Sequence, residues 1–383
     1  DFDKDGDLDL YVVSGGNDEK ELNKDLEDRL YLNDGKGNLK RLPISLPHTN
    51  GGTIAVGDFD NDGFDDLFVG ARSVPAYYGL SPYSFILRNK EGFGLELVDK
   101  QRFGMITHSQ WADIDNDSDL DLVFCGDWLN MSVLENQGDN KFVYQAQEIG
   151  LGNTAGLWNT FVLKDLNNDG QLDIIGGNAG SNFKWKASVE QPVKMHLVDM
   201  DNNGKPEPLI FHHYFSQYKP FASLDQLAAQ APVVRKQFVN YNLFSSAQSV
   251  DDFSQVKSEA IIETKVLQEL RSMVYLSENG KYKGIPLPQV AQMSTIQGLT
   301  FHNAELIFVG NHQDYLTELG ESSSNSGGLL SNFDATTGQF KVQRSLPLPA
   351  NLNPRSIIPL EKNQYLIACN NGVQYLLDRQ INN

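Results

Sequence analysis

The sequence is short of the features that usually announce a function. Two cysteines in 383 residues, Cys125 and Cys369, are expected as reduced core residues, and so small a number is uninformative about redox compartment. No run of eighteen apolar residues occurs, so no membrane span lies within the sequence. There is no GxSxG, HExxH, P-loop or CxxC pattern to carry a nucleophile, a catalytic zinc or a phosphate cradle. Positive charge is scarce: 31 Lys and Arg stand against 50 Asp and Glu, for a net charge of −19 and a pI near 4.7. With no basic stripe either, no nucleic-acid partner is expected.

The acidic surplus is organised. Five nine-residue loops of one design recur between short apolar runs, at Asp1–Asp9, Asp58–Asp66, Asp113–Asp121, Asp165–Asp173 and Asp199–Glu207. Oxygen side chains at positions 1, 3, 5 and 9 can converge on one hard cation, and glycine at position 6 permits the sharp turn that brings them round. The ligand sets are Asp1, Asp3, Asp5 and Asp9; Asp58, Asp60, Asp62 and Asp66; Asp113, Asp115, Asp117 and Asp121; Asp165, Asn167, Asp169 and Asp173; and Asp199, Asp201, Asn203 and Glu207. The position-7 residues Asp7, Phe64, Asp119, Gln171 and Lys205 complete them. Calcium tolerates such flexible, carboxylate-rich cages, whereas magnesium tends to keep its waters. Up to five Ca²⁺ sites are therefore expected, and five ions would roughly halve the formal charge. Metal-free acidic turns are the bland alternative for any single D-x-D-x-D-G, and five copies with the same apolar exit argue against it. The copies are unequal. Ser118 stands where the others have glycine, which costs energy if that residue needs positive φ. The fifth loop ends in Glu207 after Pro206 and departs furthest from the pattern.

An EF-hand shares the loop's opening but needs a bidentate Glu at position 12 and a helix on either side. Position 12 is Val12, Val69, Phe124, Gly176 and Ile210, none of them a ligand. The flanks Thr53–Val56, Leu67–Gly70, Leu120–Phe124 and Leu172–Ile175 have the composition and length of strands. Each loop is thus a strand–calcium–strand connection. Without metal, each cluster would crowd its carboxylates together at a cost in energy, so removal of the ion should loosen the protein.

The loops start at 1, 58, 113, 165 and 199. A second signal follows them, a strand running into a hairpin turn, as in Arg29–Asn33 before Asp34-Gly35 and Ser84–Asn89 before Lys90-Glu91-Gly92. Ser132–Asn136 before Gln137-Gly138 and Met273–Asn279 before Gly280 repeat it. The repeat length and strand density predict an all-β fold, a β-propeller of about seven four-stranded blades, with eight as the alternative. The blades are placed at about 1–45, 51–100, 105–148, 157–190, 193–290, 294–346 and 355–378 in a single domain. Within the fifth, residues 223–270 break the strand rhythm and are read as a helical insertion between its second and third strands, with a packing role foremost.

These loops and strands resemble FG-GAP/VCBS repeats, the blades of integrin α-subunit propellers and of bacterial surface proteins. The run Arg29–Asn38, Gly126-Asp127-Trp128, Trp158-Asn159, Tyr218–Leu227 and Val234–Phe238 further resemble the carboxy-terminal repeat region of bacterial ASPIC/UnbV-type proteins, relatives of cartilage acidic protein. The ASPIC/UnbV segment itself is absent, so nothing specific to it is implied. The resemblance leads one to expect another calcium loop between about Ser294 and Leu346, yet Thr300–Glu305 has too few oxygens in register, and Arg355–Leu377 also lacks a loop. No calcium is expected in either blade. The chain opens inside a loop and ends after three strands of a blade, so an N-terminally truncated fragment is expected, one that retains no signal peptide.

Other candidate chemistry is weaker. His212 and His213 are adjacent on a strand and point to opposite faces, so with His196 they read as strand positions and not as a zinc site. Trp111, Trp128, Trp158 and Trp185 read first as blade packing, and second as exposed platforms for a sugar or a protein. The function expected is a calcium-binding, non-catalytic interaction module that meets a protein or glycan partner. Calcium-dependent sites of this kind fill where calcium is abundant, so an extracellular, cell-surface or periplasmic location is expected. The alternative is a propeller lyase or hydrolase acting on polysaccharide at the central channel.

Overall fold

Antiparallel sheets of three to five strands account for nearly all the regular structure of the computed structural model. It describes residues 1–17, 24–254, 256 and 260–378. Residues 18–23 of the expected first blade and 255 and 257–259 of the expected helical insertion lie outside the described residues. Two compact units are present, one of Asp1–Asp113, Asp117–Gln145 and Ala187–Gln268, the other of Ile114–Asn116, Ala146–Lys186 and Glu269–Asn383.

The first unit holds four sheets. β1 (Leu10–Val12), β2 (Arg29–Asn33) and β3 (Leu39–Arg41) pair in chain order. So do β4 (Asn50–Gly57), β5 (Asp66–Ser73), β6 (Ser84–Asn89) and β7 (Leu95–Gln101). β8 (Met105–Ala112), β9 (Asp121–Leu129), β10 (Ser132–Asn136) and β11 (Phe142–Tyr144) repeat the arrangement. In two of these sheets the second strand is deeply buried: β5 runs Asp66 to Ala71, and β9 Asp121 to Gly126, without an exposed residue. A strand covered on both faces reads as a continuous apolar run rather than an alternation, and this is why Leu67-Phe68-Val69 and Leu122-Val123-Phe124 stand out in the sequence. Gly126 is required where β9 meets a bulge in β8, because a Cβ there would lie 1.9 Å from the Met105 carbonyl oxygen.

The second unit begins with the short β12 (Gly156–Leu157), followed by β13 (Thr160–Lys164) and β14 (Asp173–Gly177). Here the structure corrects the blade boundaries. The chain leaves this unit after β14 and builds a complete sheet from β15 (Val193–Val198), β16 (Glu207–Tyr214), β17 (Gln217–Pro220) and β18 (Ile261–Leu267), which belongs to the first unit. It then returns with β19 (Met273–Glu278) and β20 (Lys281–Pro286), and β19 docks on β14, with Ile175 opposite Val274. The hairpin at Asn279-Gly280 was expected in the fifth blade, but it closes the fourth. A hairpin signal is local and cannot say which sheet edge it will join, whereas β14 carries a free edge that must be covered.

The helical insertion is also shorter and later than expected. α1 (Leu224–Gln230), α2 (Val234–Gln237) and α3 (Tyr241–Ser245) follow the third strand of their sheet, β17. Ser223 and Gln226 form a reciprocal capping box that starts α1. Leu224, Leu227, Val234, Phe238 and Phe244 pack on Leu209 and Phe211 of β16, so the helices supply the sheet with its core. Residues 261–267, within the 223–270 stretch expected to be helical, form a strand whose Ile-Ile and Thr content favours the pleat. β21 (Ile296–His302), β22 (Glu305–Gly310), β23 (Gly327–Asp334) and β24 (Gln339–Ser345) make another four-stranded sheet. The last sheet has three, β25 (Pro354–Pro359), β26 (Gln364–Cys369) and β27 (Gln374–Asp378), the three strands expected there, and the first sheet also has three.

Candidate metal centres

The five acidic loops share one backbone conformation. Position 4 is left-handed in each (Lys4, Asn61, Asn116, Asn168, Asn202), with φ between 58° and 62°. Position 6 follows with φ between 79° and 97°, and Ser118 adopts it at 79° alongside four glycines. The conformation is enforced by side chains. The position-6 N–H donates to the position-1 carboxylate in every loop: Gly6 to Asp1 (3.2 Å), Gly63 to Asp58 (2.8 Å), Ser118 to Asp113 (3.0 Å), Gly170 to Asp165 (3.0 Å) and Gly204 to Asp199 (2.8 Å). The position-7 N–H donates to the position-5 oxygen, from Asp7 to Asp5, Phe64 to Asp62, Asp119 to Asp117, Gln171 to Asp169 and Lys205 to Asn203. The position-2 side chains Phe2, Phe59 and Met200 are buried, which pins the start of three loops to a core.

Carboxylate oxygens meet as a result. Asp1, Asp3 and Asp5 each offer one oxygen, all within 4.8 Å of one another, and the same holds for Asp58, Asp60 and Asp62, for Asp113, Asp115 and Asp121, and for Asp199, Asp201 and Glu207. Loop four forms no such group among the described residues. Asn167 replaces a carboxylate there and donates through Nδ2 to Asp169 (2.9 Å). Four oxygens, Oδ1 of Asp1, Asp3, Asp113 and Asp201, are buried with no hydrogen-bond partner among the described residues. An unpaired buried carboxylate oxygen is costly, and a cation in the loop would satisfy it.

Position 9 is occupied differently. Asp9, Asp66 and Asp173 lie outside the oxygen clusters, and each accepts two backbone N–H groups: Phe2 and Asn33 (both 2.8 Å), Phe59 and Asn89 (3.1 and 2.8 Å), and Leu166 and Ser277 (2.9 and 2.8 Å). Asp121 and Glu207 join a cluster while also accepting from Asn136 (2.8 Å) and Met200 (3.1 Å). Burial, followed by repulsion from Asp60 and Asp62, pushes Asp66 up to about 7. Burial and the neighbouring loop carboxylates raise Asp173 and Glu207 as well. A bound cation reverses that logic. Asp117 lies outside its loop's cluster, and Phe64 and Lys205 can contribute only a backbone carbonyl. The Asp119 carboxylate accepts from Asn61 Nδ2 (3.2 Å), and Asn116 Nδ2 donates to the Gly170 carbonyl (3.2 Å), so position-4 asparagines tie one loop to the next. Asp115, Asp169 and Gln171 line a cavity of about 470 Å³ with Asn279 and Tyr282.

One set of residues went unread in the sequence. The asparagines that end β2, β6 and β10, Asn33, Asn89 and Asn136, each donate the backbone N–H to position 9 of the preceding acidic loop. Their side chains bond the position-8 carbonyl, Leu8, Asp65 and Leu120 respectively. Asn89 and Asn136 also reach the previous loop, at the carbonyls of Phe2 (2.9 Å) and Phe59 (2.8 Å). The recurrence of Asn before each turn was the available signal, and it was taken only as a turn preference.

The remaining candidates resolve as packing. The four tryptophans are buried at 6% exposure or less. His196 bonds Thr264 through Nδ1 (3.0 Å), and His212 and His213 stack edgewise on Phe221 and Tyr218. Cys125 is buried and Cys369 half-buried, both free. Away from the loops, Asp127 lies 3.7 Å from Arg72, and burial raises its pKa. Among the described residues no helix is long and apolar enough to cross a membrane.

Residues 1–69 and 113–176 match the FG-GAP-like repeat family, and these spans contain loops one to four. No curated protein matches the sequence. Among solved structures, the chain is similar to the periplasmic gluconolactonase PpgL of Pseudomonas aeruginosa, at 13% identity and TM-score 0.40, over 97% of this chain and 92% of that one. It is similar to PorZ, a surface component of the type-IX secretion system of Porphyromonas gingivalis, at 11% identity and TM-score 0.39, over 92% and 37%. The WD40 β-propeller domain of Doa1 follows at 7% identity and TM-score 0.31, over 93% and 87%. At such scores none of these likenesses bears on function.

Proposed function

We propose that the chain, of which residues 1–69 and 113–176 match the FG-GAP-like repeat family, is a repeat protein of that type whose acidic loops are calcium sites, and that it serves as a calcium-stiffened binding module outside the cytosol. One observation carries the reading: on a loop backbone repeated five times, carboxylates are held by their own amides so that oxygens converge in four loops, and four carboxylate oxygens of these clusters are buried with no hydrogen-bond partner among the described residues. Asp1, Asp3 and Asp5 would hold the ion in loop one, Asp58, Asp60 and Asp62 in loop two, Asp113, Asp115 and Asp121 in loop three, and Asp199, Asp201 and Glu207 in loop five. Loop four, with Asp165, Asn167 and Asp169, is the weakest site. Bound calcium supplies charge neutralisation and a rigid corner between the first two strands of a blade. Sites of about 10⁻⁴–10⁻³ M fill outside the cytosol and stay empty within it. The partner is a protein or a glycan met by the loops and faces of the sheets. Calorimetric titration of chelator-treated protein tests the proposal. Saturable uptake of three or more Ca²⁺ per chain, not reproduced by Mg²⁺ at the same concentration, is expected, and no uptake at millimolar calcium overturns it.

The Arg72–Asp127 pair favours a second, catalytic reading, since an acid raised by burial beside a cation can donate a proton. Asp127→Asn would then abolish cleavage of polysaccharide while leaving calcium uptake intact.

A further inference from the structure

A cleft in the first unit reverses the charge pattern of the chain. It opens beside β5, β6 and β7, encloses about 210 Å³, and has no Asp or Glu among its lining residues, although the chain carries 50. Two cations line it instead. Lys100 Nζ lies 4.5 Å from the centre of the Tyr83 ring and 5.3 Å from that of Phe85, and the Arg102 guanidinium lies 4.5 Å from the same Tyr83 ring. Arg102 also donates to the Ser81 carbonyl (3.1 Å), but neither head group pairs with a carboxylate among the described residues. Opposite charges were abundant nearby in sequence and were not used: Asp99 accepts from the Lys100 backbone N–H and from Gln101. Holding two like charges about one ring is unfavourable, and an aromatic face returns only about 0.5–1 kcal/mol to each.

A second observation lies in the same wall. Thr49 is 4% exposed, and its Oγ1 has no hydrogen-bond partner among the described residues. Buried hydroxyls are seldom left this way unless a ligand or water completes them. The cleft therefore offers two unpaired cations and an unused hydroxyl between apolar walls of proline and Phe85. An inorganic anion would answer the cations and leave those walls bare. A single carboxylated sugar ring answers both, with its carboxylate toward Lys100 and Arg102 and a hydroxyl toward Thr49. We infer that this cleft binds one uronate residue of an acidic polysaccharide, an inference that rests on the glycan branch of the function proposed above.

The test is calorimetric titration of the intact, calcium-loaded protein with a hyaluronan tetrasaccharide, with the same tetrasaccharide after its carboxylates are reduced to hydroxymethyl groups, and with tetraglutamate. Saturable binding of the acid form, at least tenfold weaker for the reduced form and weaker in high salt, is expected. Lys100→Gln and Thr49→Val should each weaken it threefold or more without moving the melting temperature. Equal binding of the reduced sugar, no binding of the acid sugar, or wild-type affinity in both variants overturns the inference. Tighter binding of tetraglutamate overturns it in favour of an acidic protein segment. Melting with and without chelator on the same sample reports calcium separately, so the two readings fail independently.

Discussion

Two neighbouring sheets of the second unit solve the same problem in different ways. β13 passes to β14 through the acidic loop Asp165–Leu172, whereas β21 passes to β22 through Asn303 and Ala304, a two-residue turn with both φ values positive. The pairing next to each connection is in register, Val162 opposite Ile175 in one case and Thr300 opposite Ile307 in the other. A two-residue turn is therefore sufficient to join the first strands of a blade in this protein. The nine-residue acidic loops are not needed for the connection, and in isolation their like charges oppose it. The calcium sites proposed above would account for their length and charge. The comparison breaks if the loops behave as the short turn does when calcium is withdrawn.

The largest effect expected is that of withdrawal itself. With each site filled at tenfold or more above its Kd, binding contributes roughly 1.4 kcal/mol or more per site. Summed over the clusters, chelation should lower the melting temperature by at least about 5 °C. Hydrogen exchange should show the loss concentrated in residues 58–66 and 113–121, with Asn303–Ala304 unchanged. Uniform loss, or none, would place the two connections in one class.

Next comes the asparagine clamp, which makes the acidic corner depend on its neighbour. Asn89→Ala leaves the carbonyls of Phe2 and Asp65 and the N–H of Gly92 unpaired in a buried setting. The cost should be on the order of 3 kcal/mol in chemical denaturation. It should appear with calcium present, because the clamp acts on the backbone and not on the ion. In the fourth sheet Ser277 donates its N–H to Asp173 (2.8 Å) but has no amide side chain to carry the clamp onward.

Asp28 sharpens the comparison from the other side, as a buried carboxylate with no metal cluster. It accepts from Ser14 N–H (2.8 Å) and Tyr11 Oη–H (2.9 Å), and burial raises it to about 6. The folded state then holds its proton more tightly than the unfolded chain does. The stabilisation is complete below about pH 4 and is lost as pH rises through about 6, by up to roughly 3 kcal/mol. Asp28→Asn should remove that part of the pH dependence, measured as the difference from the parent protein in excess calcium. An unchanged slope between pH 4 and 6 would mean that Asp28 is not the group responsible.

A smaller effect, distinctive in sign, is expected from Asp60→Asn combined with Asp62→Asn. Without calcium the variant should be more stable than the parent by about 1 kcal/mol, since repulsion on Asp66 is relieved. With calcium it should be less stable by about 2 kcal/mol, since the site is lost. Melting curves that fail to cross on calcium addition would make these loops ordinary acidic turns.

Much of this was legible in the residues because it is local. The strand–loop–strand reading, the left-handed position 6 and the hairpin turns depend on a few adjacent side chains, and Ser118 sits at positive φ as its alignment with four glycines requires. What the residues did not disclose is non-local. The docking of β19 on β14 spans the whole of β15–β18, and nothing within Met273–Glu278 specifies that edge. Val266, Leu267 and Leu270 fall at a helical spacing, and only pairing with β15 makes the first two strand. Position 9 was assigned to the metal because it is acidic, whereas Asp66 and Asp173 each serve two backbone amides, one at position 2 of the same loop and one from a distant strand. Acidity alone cannot separate a ligand from a backbone acceptor.

The finest probe of the shared loop backbone is Ser118 itself. Four loops place glycine at position 6 and one places serine, yet all five take the same turn and send the same N–H to position 1. A left-handed conformation costs an L-residue roughly 1 kcal/mol that glycine does not incur, and glycine surrenders part of that advantage through the freedom it has when unfolded. Ser118→Gly should therefore stabilise the protein by about 0.5 kcal/mol, a rise of a degree or two in melting temperature. Calcium uptake by the third loop should be unchanged, because Ser118 contributes its backbone N–H to Asp113 and glycine retains it. A fall in calcium affinity on this substitution would show the serine hydroxyl to be part of the cage, and would set the third loop apart from the other four.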